Sequence, residues 1–239
     1  MADWNSIVAE PQHAGQRVFS VMLDGQRYWV KRSRKNYKNL YQVVLHPNLS
    51  ALRDETRAMR SLRSKGMLVP TVVHETPEFI VLTDVGESLQ RCLQRGDEAL
   101  RMRYVLEVAD LLSDLHARKA WHGNAALRNF TVKDGRLNMI DFENTAHRWM
   151  TLDLRQSFDV WQVLHSIAKY DEHEGLVDAF LARYRPTSRS LLYLRLIAWG
   201  LSPVWLLLAP FSSLMKGDIR EAVESVGKLL TVRTSGPTR

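Results

Sequence analysis

Residues Trp121–Phe142, WHGNAALRNFTVKDGRLNMIDF, carry amide side chains near one end and a carboxylate at the other. Asn124 and Asn129 lie in a predicted loop, and Asp141 follows the predicted strand Leu137–Ile140 after a tight turn. Because Mg²⁺ prefers hard oxygen ligands and takes few of them from protein, Asn129 and Asp141 are its candidate ligands. The segment therefore predicts the metal-binding half of a phosphoryl-transfer site.

The spacing within this segment is typical of protein-kinase-like enzymes. In those enzymes H-R-D-x-x-x-x-N supplies a base and a metal-binding Asn, and a later D-F-G supplies the second metal ligand. The matching positions are His122, Asn124, Asn129 and Asp141-Phe142, preceded by Leu115-His116. The competing interpretation is an Asn-rich surface loop followed by a strand that ends in a capping Asp. We expect both histidines to be structural.

Asn124 departs from this pattern, because the kinase position holds an Asp that accepts the proton of the substrate hydroxyl. A neutral amide can orient a hydroxyl but cannot take its proton, and base catalysis is worth ~10² to 10⁴ in rate. Slow transfer and complete loss of activity both stay open. Glu143, which replaces the usual glycine after Asp141-Phe142, could bind metal, replace the base or point outward.

Lys31 ends a predicted hairpin that turns at Asp24-Gly25. Period two puts Lys31 on the strand face opposite Val30. Kinase-like folds place the lysine that holds the α- and β-phosphates at such a position, although Lys31 could also simply open a basic run. The glycine-rich phosphate loop expected before this hairpin is weak, because Ala9–Arg17 contains only Gly15.

Glu55 lies on the apolar side of a helix predicted over Asn48–Ser64, which stops at Gly66. An inward carboxylate needs a partner. Pairing with Lys31 would give the Lys-Glu ion pair of an active kinase, and the alternative is an exposed pair with a neighbouring Arg.

A second hairpin, Val69–Val73 with Phe79–Leu82, leads to a linker at Thr83–Gly86. The backbone of Leu82 and of Asp84 is predicted to meet an adenine edge there. Farther along, Glu98–Arg118 has a helical apolar repeat that ends before the loop. Asp153 and Asp159 are expected to tie the loop backbone to the helices.

The composition leaves the partner open. The net charge of +7 suits nucleotide phosphates, an anionic membrane surface, nucleic acid or an acidic glycolipid. The single Cys92 and the lack of an apolar leader predict a cytoplasmic protein. The uncharged run Leu196–Met215 could form core helices, an interfacial membrane segment or a span. The polar tail Thr234–Arg239 is predicted to be disordered.

The segments YWVK, LHARKAWHGNAALRNF and NMIDFE, with the helix that carries Glu55, resemble the bacterial lipopolysaccharide kinase family: Kdo and core-heptose kinases with InaA-like proteins. The resemblance implies an α+β, compact bilobal protein-kinase-like fold, with a small antiparallel-sheet N-lobe and a mainly helical C-lobe. We expect one domain over residues 1–239, with the N-lobe in 1–84 and the C-lobe in 85–233.

The resemblance also implies an enzyme peripheral to the inner membrane that uses ATP and Mg²⁺ to phosphorylate a sugar of the lipopolysaccharide core or lipid A region. It assigns phosphate binding to Lys31, its partner to Glu55, metal to Asn129 and Asp141, and the base position to Asn124. The expected partners are this glycolipid and an anionic membrane surface rather than nucleic acid. A pseudokinase scaffold is the main alternative. A compact small-molecule or protein kinase is the third hypothesis.

Overall fold

The computed structural model of the protein describes residues 2–33, 51–142, 150–171, 175–187, 189–190, 192–194, 196 and 199–200. They divide into two compact units. The first holds the described residues up to 86 together with 131–142, and the second holds 87–130 and those from 150 onward. The predictions for the helix start at Asn48, most of the basic run, Glu143, most of Leu196–Met215 and the tail lie outside the described residues.

The first unit contains a four-stranded antiparallel sheet in the order β1-β2-β4-β3. Its strands are β1 (Val18–Leu23), β2 (Gln26–Arg32), β3 (Val72–Glu75) and β4 (Phe79–Thr83). Both predicted hairpins are confirmed, although β3 begins three residues later than expected. The β1–β2 turn has positive φ angles at both of its central residues, Asp24-Gly25, as a two-residue hairpin loop of this kind requires.

One face of this sheet is the core of the unit. Val30 lies opposite Phe19 on β1 and opposite Val81 on β4, and all three are buried. Helix α1 (Trp4–Ala9) covers them with Trp4 and Val8. Since successive strand residues point to opposite faces, Lys31 lies on the other face.

Helix α2 (Ala51–Ser64) confirms the predicted helix over its described part. Its inward side buries Leu52, Met59 and Leu62 together with Glu55. The helix ends before Gly66, whose φ of 79° is a left-handed conformation that glycine adopts without strain.

The hairpin after the loop consists of β6 (Phe130–Lys133) and β7 (Arg136–Met139), and β7 lies within one residue of the predicted strand Leu137–Ile140. The backbone N–H of Met139 donates to the carbonyl of Leu68 at 3.0 Å, which ties the hairpin to the rest of the first unit. At Gly86, a Cβ would lie 2.0 Å from the carbonyl oxygen of Val132, so this close approach requires glycine.

The second unit is mainly helical. Its elements are β5 (Glu87–Ser88), α3 (Leu89–Arg95), α4 (Glu98–Ala117), α5 (Leu152–Ala168) and α6 (Leu176–Arg183). The Asp97 carboxylate caps α4 by accepting from the backbone N–H of Leu100 at 2.8 Å. The predicted α+β class, with a sheet in the N-terminal part and helices after it, is confirmed. Among the helices described, none combines the length and the apolar character needed to cross a membrane.

Candidate active site

Lys31 joins two carboxylates from distant parts of the sequence, and we call Lys31, Glu55 and Asp141 the charged triad. The Lys31 ammonium lies 2.8 Å from both carboxylate oxygens of Glu55 on α2. It also lies 2.5 Å from Oδ1 of Asp141, two residues after the end of β7. The predicted Lys31–Glu55 ion pair is therefore confirmed, and all three residues belong to the first unit.

Burial differs within the charged triad. The side chains of Lys31 and Glu55 are 14% and 7% exposed, whereas that of Asp141 is 33% exposed. Burial alone would lower the pKa of Lys31, but the charges of Glu55 and Asp141 and the hydrogen bonds to them outweigh it and raise the pKa. Burial raises the pKa of Glu55 against the opposing charge of Lys31. One ammonium thus serves two carboxylates, and it stays protonated at neutral pH.

Asp141 has a left-handed backbone, with φ of 59°. Few residues other than glycine adopt this conformation, and Asp tolerates it better than most. Strained backbone persists where surrounding contacts hold it, and it concentrates at functional sites. The position that the sequence assigned to metal binding is therefore also a strained position.

In the second unit, Asp159 of α5 holds the loop that the sequence singled out. Its carboxylate accepts from the backbone N–H of His122 at 2.7 Å and from that of Gly123 at 2.8 Å. The prediction that Asp159 ties the loop backbone is confirmed. The same prediction for Asp153 is wrong, because within the described residues its carboxylate instead accepts from the hydroxyl of Thr187 at 3.1 Å.

His116 completes this anchor. Its Nε2 lies 3.2 Å from Oδ2 of Asp159, and its Nδ1 lies 2.7 Å from the hydroxyl of Tyr184. A carboxylate can only accept, so Nε2 carries the proton and Nδ1 accepts from Tyr184. Burial, and then the charge of Asp159, raise the pKa of Tyr184, which keeps that hydroxyl protonated. The prediction that His116 is structural agrees with these contacts.

The amide of Asn129 is oriented by the loop itself. Its Nδ2 donates to the backbone carbonyl of Asn124 at 2.7 Å, and Asn129 is buried in the 3₁₀ turn Leu127–Asn129. Since the amide nitrogen is used in that bond, Oδ1 is the atom that a cation could take. Asn124 is half-buried, and its backbone N–H donates to Nδ1 of His122 at 3.3 Å. His122 therefore braces the loop, as expected.

The predicted adenine contact falls on backbone groups that already have partners. The N–H of Asp84 donates to the carbonyl of Arg27 at 3.2 Å, and its carbonyl accepts from Lys133 at 2.7 Å. Leu82 lies on β4 between two paired strands. Trp29, which no sequence pattern indicated, donates its indole N–H to the Asp84 carboxylate at 2.8 Å. Nucleotide binding there would exchange one of these bonds, so the contact stays a prediction.

The glycine-poor segment before β1 is fastened by Arg32. Its guanidinium donates to the carbonyls of Val8, His13 and Gln16, at 2.5, 2.7 and 3.1 Å. Because the Arg32 side chain binds three backbone carbonyls of this segment, it fixes the path of the segment. This contact of Arg32 could not be predicted from the sequence, where Arg32 appears only as one member of a basic run.

A profile of the lipopolysaccharide kinase (Kdo/WaaP) family matches residues 2–184, more than three quarters of the chain. This chain belongs to that family. The resemblance noted in the sequence is thereby confirmed, and a member of this kinase family is implied to use ATP.

Two relatives of this lipopolysaccharide kinase family member show how much of each protein the similarity covers. An uncharacterised protein of Haemophilus influenzae is 26% identical over 226 residues, covering 87% of each chain. A probable bifunctional tRNA threonylcarbamoyladenosine biosynthesis protein of Methanospirillum hungatei is 29% identical over 140 residues, which are 56% of this chain and 24% of that protein. The second likeness thus spans only about a quarter of its longer relative.

A solved structure of WaaP in complex with acyl carrier protein superposes with a TM-score of 0.53 at 22% identity. The match covers 90% of this chain and 86% of that one. At this identity the likeness shows the fold, so the predicted kinase-like fold of this lipopolysaccharide kinase family member is confirmed.

Each unit of this lipopolysaccharide kinase family member offers an oxygen atom of the kind that Mg²⁺ prefers: the carboxylate of Asp141 in the first unit and the amide oxygen of Asn129 in the second. Within the first unit, the Lys31 ammonium suits phosphate oxygens. Within the described residues, no group of three or more His, Cys, Asp or Glu side chains could hold a metal ion. Mg²⁺ usually keeps several waters and takes one or two carboxylates together with substrate phosphates, so a small donor set is what it requires.

Proposed function

We propose that this protein is an ATP- and Mg²⁺-dependent phosphotransferase that acts on a sugar of the lipopolysaccharide core or lipid A region. The observation that carries the proposal is the charged triad, in which one buried ammonium joins Glu55 and Asp141. Membership in the lipopolysaccharide kinase family supports this choice of substrate class.

In this proposal Lys31 binds the α- and β-phosphates, and Glu55 keeps the ammonium in place. Asp141 and Asn129 are the metal ligands. The bound metal and nucleotide supply the transferable phosphoryl group and the neutralisation of its developing charge. Asn124 orients the acceptor hydroxyl without accepting its proton, so transfer is expected to be slow.

The second candidate is a pseudokinase, a nucleotide-binding scaffold of lipopolysaccharide assembly. Asn124 at the base position is the observation that favours it. A neutral amide there removes the proton acceptor while leaving the charged triad, and therefore nucleotide binding, intact.

Phosphoryl transfer from ATP to lipopolysaccharide core oligosaccharide separates these candidates. We expect slow transfer by the wild type, a rate ~10² to 10⁴ higher for Asn124→Asp, and none for Asp141→Ala. Arg57→Ala is the matched control, because it removes a cation that is 80% exposed from the helix that carries Glu55. Mg-ATP binding without transfer in either the wild type or Asn124→Asp would support the pseudokinase instead. Binding is read from the Mg-ATP-dependent rise in melting temperature.

We also propose a site of action at the cytoplasmic face of the inner membrane. A net charge of +7 supports attraction to anionic lipid. Co-sedimentation with vesicles containing anionic phospholipid, and its loss at high salt, would test this. Equal sedimentation with neutral vesicles would contradict it.

A further inference from the structure

The second unit contains a cavity of about 280 Å³ beside the loop of Asn124. Residues of the loop, of α3 and of α5 line it, and all of them belong to the second unit. Ligand pockets are typically ~300–1,000 Å³, so this volume suits a monosaccharide better than a nucleotide. Because the lining residues of the cavity belong to the second unit and the charged triad belongs to the first, the two are separate features.

The wall of the cavity is basic and polar. It includes Asn124, Arg128, Gln162 and Lys169, and none of the described residues that line it is acidic. Arg128 and Lys169 are exposed, and the guanidinium of Arg128 has no ion-pair partner within the described part of the chain. Arginine presents a fork of donors that matches carboxylate and phosphate oxygens. The wall is thus suited to an anionic group.

Two further lining residues, Trp161 and His165, have buried polar atoms that lack partners. Neither Nε1 of Trp161 nor Nδ1 of His165 has a hydrogen bond in the described structure. Buried polar atoms are normally paired, so each such exception needs an explanation. The two rings also stack, with centroids 6.2 Å apart and planes 26° apart. Both atoms are buried, so the rings meet the cavity through their faces, and such an aromatic surface is suited to the apolar C–H face of a sugar ring.

A sequence signal for these lining residues is present on helix α5. Trp161, His165 and Lys169 follow one another at four-residue spacing, which places them on one face of α5 and its C-terminal cap. In the sequence this face reads as part of an amphipathic helix, and only the packing of the loop beside it encloses a cavity.

We propose that this cavity binds a sugar that carries a carboxylate or phosphate group, and that it is the acceptor subsite. Arg128 and Lys169 bind the anionic group, and Trp161 and His165 contact the ring. Asn124, in the same wall, then lies where it can orient a hydroxyl of that sugar. The role as acceptor subsite rests on the proposed phosphotransferase function, whereas sugar binding does not.

Binding is measured without nucleotide, on protein carrying ¹⁵N-labelled tryptophan. The indole N–H resonance of Trp161 is assigned as the one that Trp161→Phe removes. The probes are galacturonate, glucose 6-phosphate, galactose and inorganic phosphate. We expect both charged sugars to shift the Trp161 resonance saturably, with galactose and phosphate each about tenfold weaker, because each lacks one part of the recognised group.

The variants test the assigned contacts. Arg128→Ala and Lys169→Ala are each expected to weaken binding of the charged sugars about tenfold. Both residues are exposed, so the variants should fold. Arg185→Ala is the matched control, since Arg185 is an exposed arginine of the same unit outside the cavity, and it should bind like the wild type.

Each possible failure has a separate meaning. The proposal is overturned if no charged sugar shifts Trp161, if galactose binds equally well, or if inorganic phosphate binds equally well. It is also overturned if Arg185→Ala weakens binding as much as Arg128→Ala. Sugar binding without any phosphoryl transfer would contradict the proposed function and leave the binding site in place. Phosphoryl transfer without sugar binding in this cavity would contradict the binding site and leave the proposed function in place.

Discussion

Two aspartates, Asp141 and Asp159, each join segments that are far apart in the sequence, but their surroundings differ. Asp141 is one-third exposed, has a left-handed backbone and contacts the Lys31 ammonium. Asp159 is 1% exposed, lies within a regular helix, and accepts from two backbone N–H groups and from His116. The first contact is between charges, and the second mostly satisfies backbone donors.

The difference indicates what each carboxylate can do. A fully buried acceptor whose donors are backbone N–H groups cannot exchange partners without unfolding its surroundings, so Asp159 stabilises the loop. A partly exposed carboxylate beside a single ammonium can exchange a contact for a ligand at little cost. Asp141 is therefore suited to binding a ligand. Replacement of Asp159 should be measured by the loss of stability, and replacement of Asp141 by the loss of ligand binding.

Asp159→Ala should cause the largest loss of stability. It leaves two backbone N–H groups and the Nε2–H of His116 without their acceptor in a buried site. We expect a loss of about 3–5 kcal/mol in the free energy of unfolding, as for removal of one partner from a buried pair. Urea unfolding of wild type and variant measures it.

Asp110→Ala is the control for this prediction. Asp110 makes a bidentate pair with Arg183 in the same unit, but the pair is at the surface, where such contacts contribute little. Its stability should be close to that of the wild type. An equally small loss for Asp159→Ala would show that water replaces its contacts and would remove the contrast with Asp141.

Lys31→Met should have the next largest effect on stability. Methionine keeps an unbranched side chain but leaves Glu55 and Asp141 without the ammonium between them. We expect a loss of about 2–3 kcal/mol at neutral pH, below the value for a fully buried pair because Asp141 is partly exposed. The loss should shrink in acid, where Glu55 takes up a proton instead of staying charged.

Unfolding in urea at neutral and acidic pH tests this. Arg60→Met is the matched control, since Arg60 pairs with Glu75 at 2.7 Å but is 62% exposed. It should show neither the loss nor its pH dependence. A loss from Lys31→Met that does not change with pH would mean that packing of the lysine stem, rather than its charge, holds the site.

The same contrast explains what could be predicted from the sequence. Alternation and turn residues predicted β1 with β2, and the apolar repeat predicted α2 and α4, because these periods follow from local geometry. Each member of the charged triad was predicted from its own local pattern: Lys31 from the end of a hairpin, Glu55 from the inward side of a helix, and Asp141 from its spacing after Asn129. Asp159 was predicted as a polar residue directly before an apolar segment.

Other features depend on packing that no local pattern records. Helix α1 has only six residues, too few for a periodic signal, and is held by Trp4 and Val8 against the sheet. Asp153 precedes the same apolar segment as Asp159, but its position at the start of α5 directs it to Thr187 rather than to the loop. The roles of Asn124 and Asn129, and the limits of the two lobes, stay predictions.

Glu55→Gln should have the smallest effect of the three substitutions, a loss of about 1 kcal/mol in the free energy of unfolding. Glutamine keeps the shape of the side chain and can still accept a hydrogen bond from Lys31. Burial raises the pKa of Glu55 above its ordinary value of 4.5. A carboxyl with a higher pKa in the folded state binds more protons there, so its contribution to stability is fully present below pH 4.5. That contribution is lost as the pH rises through the folded-state pKa.

Glutamine does not titrate, so the stability of the wild type relative to Glu55→Gln should fall as the pH rises from 4.5 toward neutrality. Urea unfolding of both proteins across this range measures the difference. A difference that instead grows with pH would mean that attraction to Lys31 outweighs burial, so that Glu55 is held charged as firmly as Asp159 is held by its backbone donors. The contrast between an exchangeable triad and a fixed anchor would then rest on Asp141 alone.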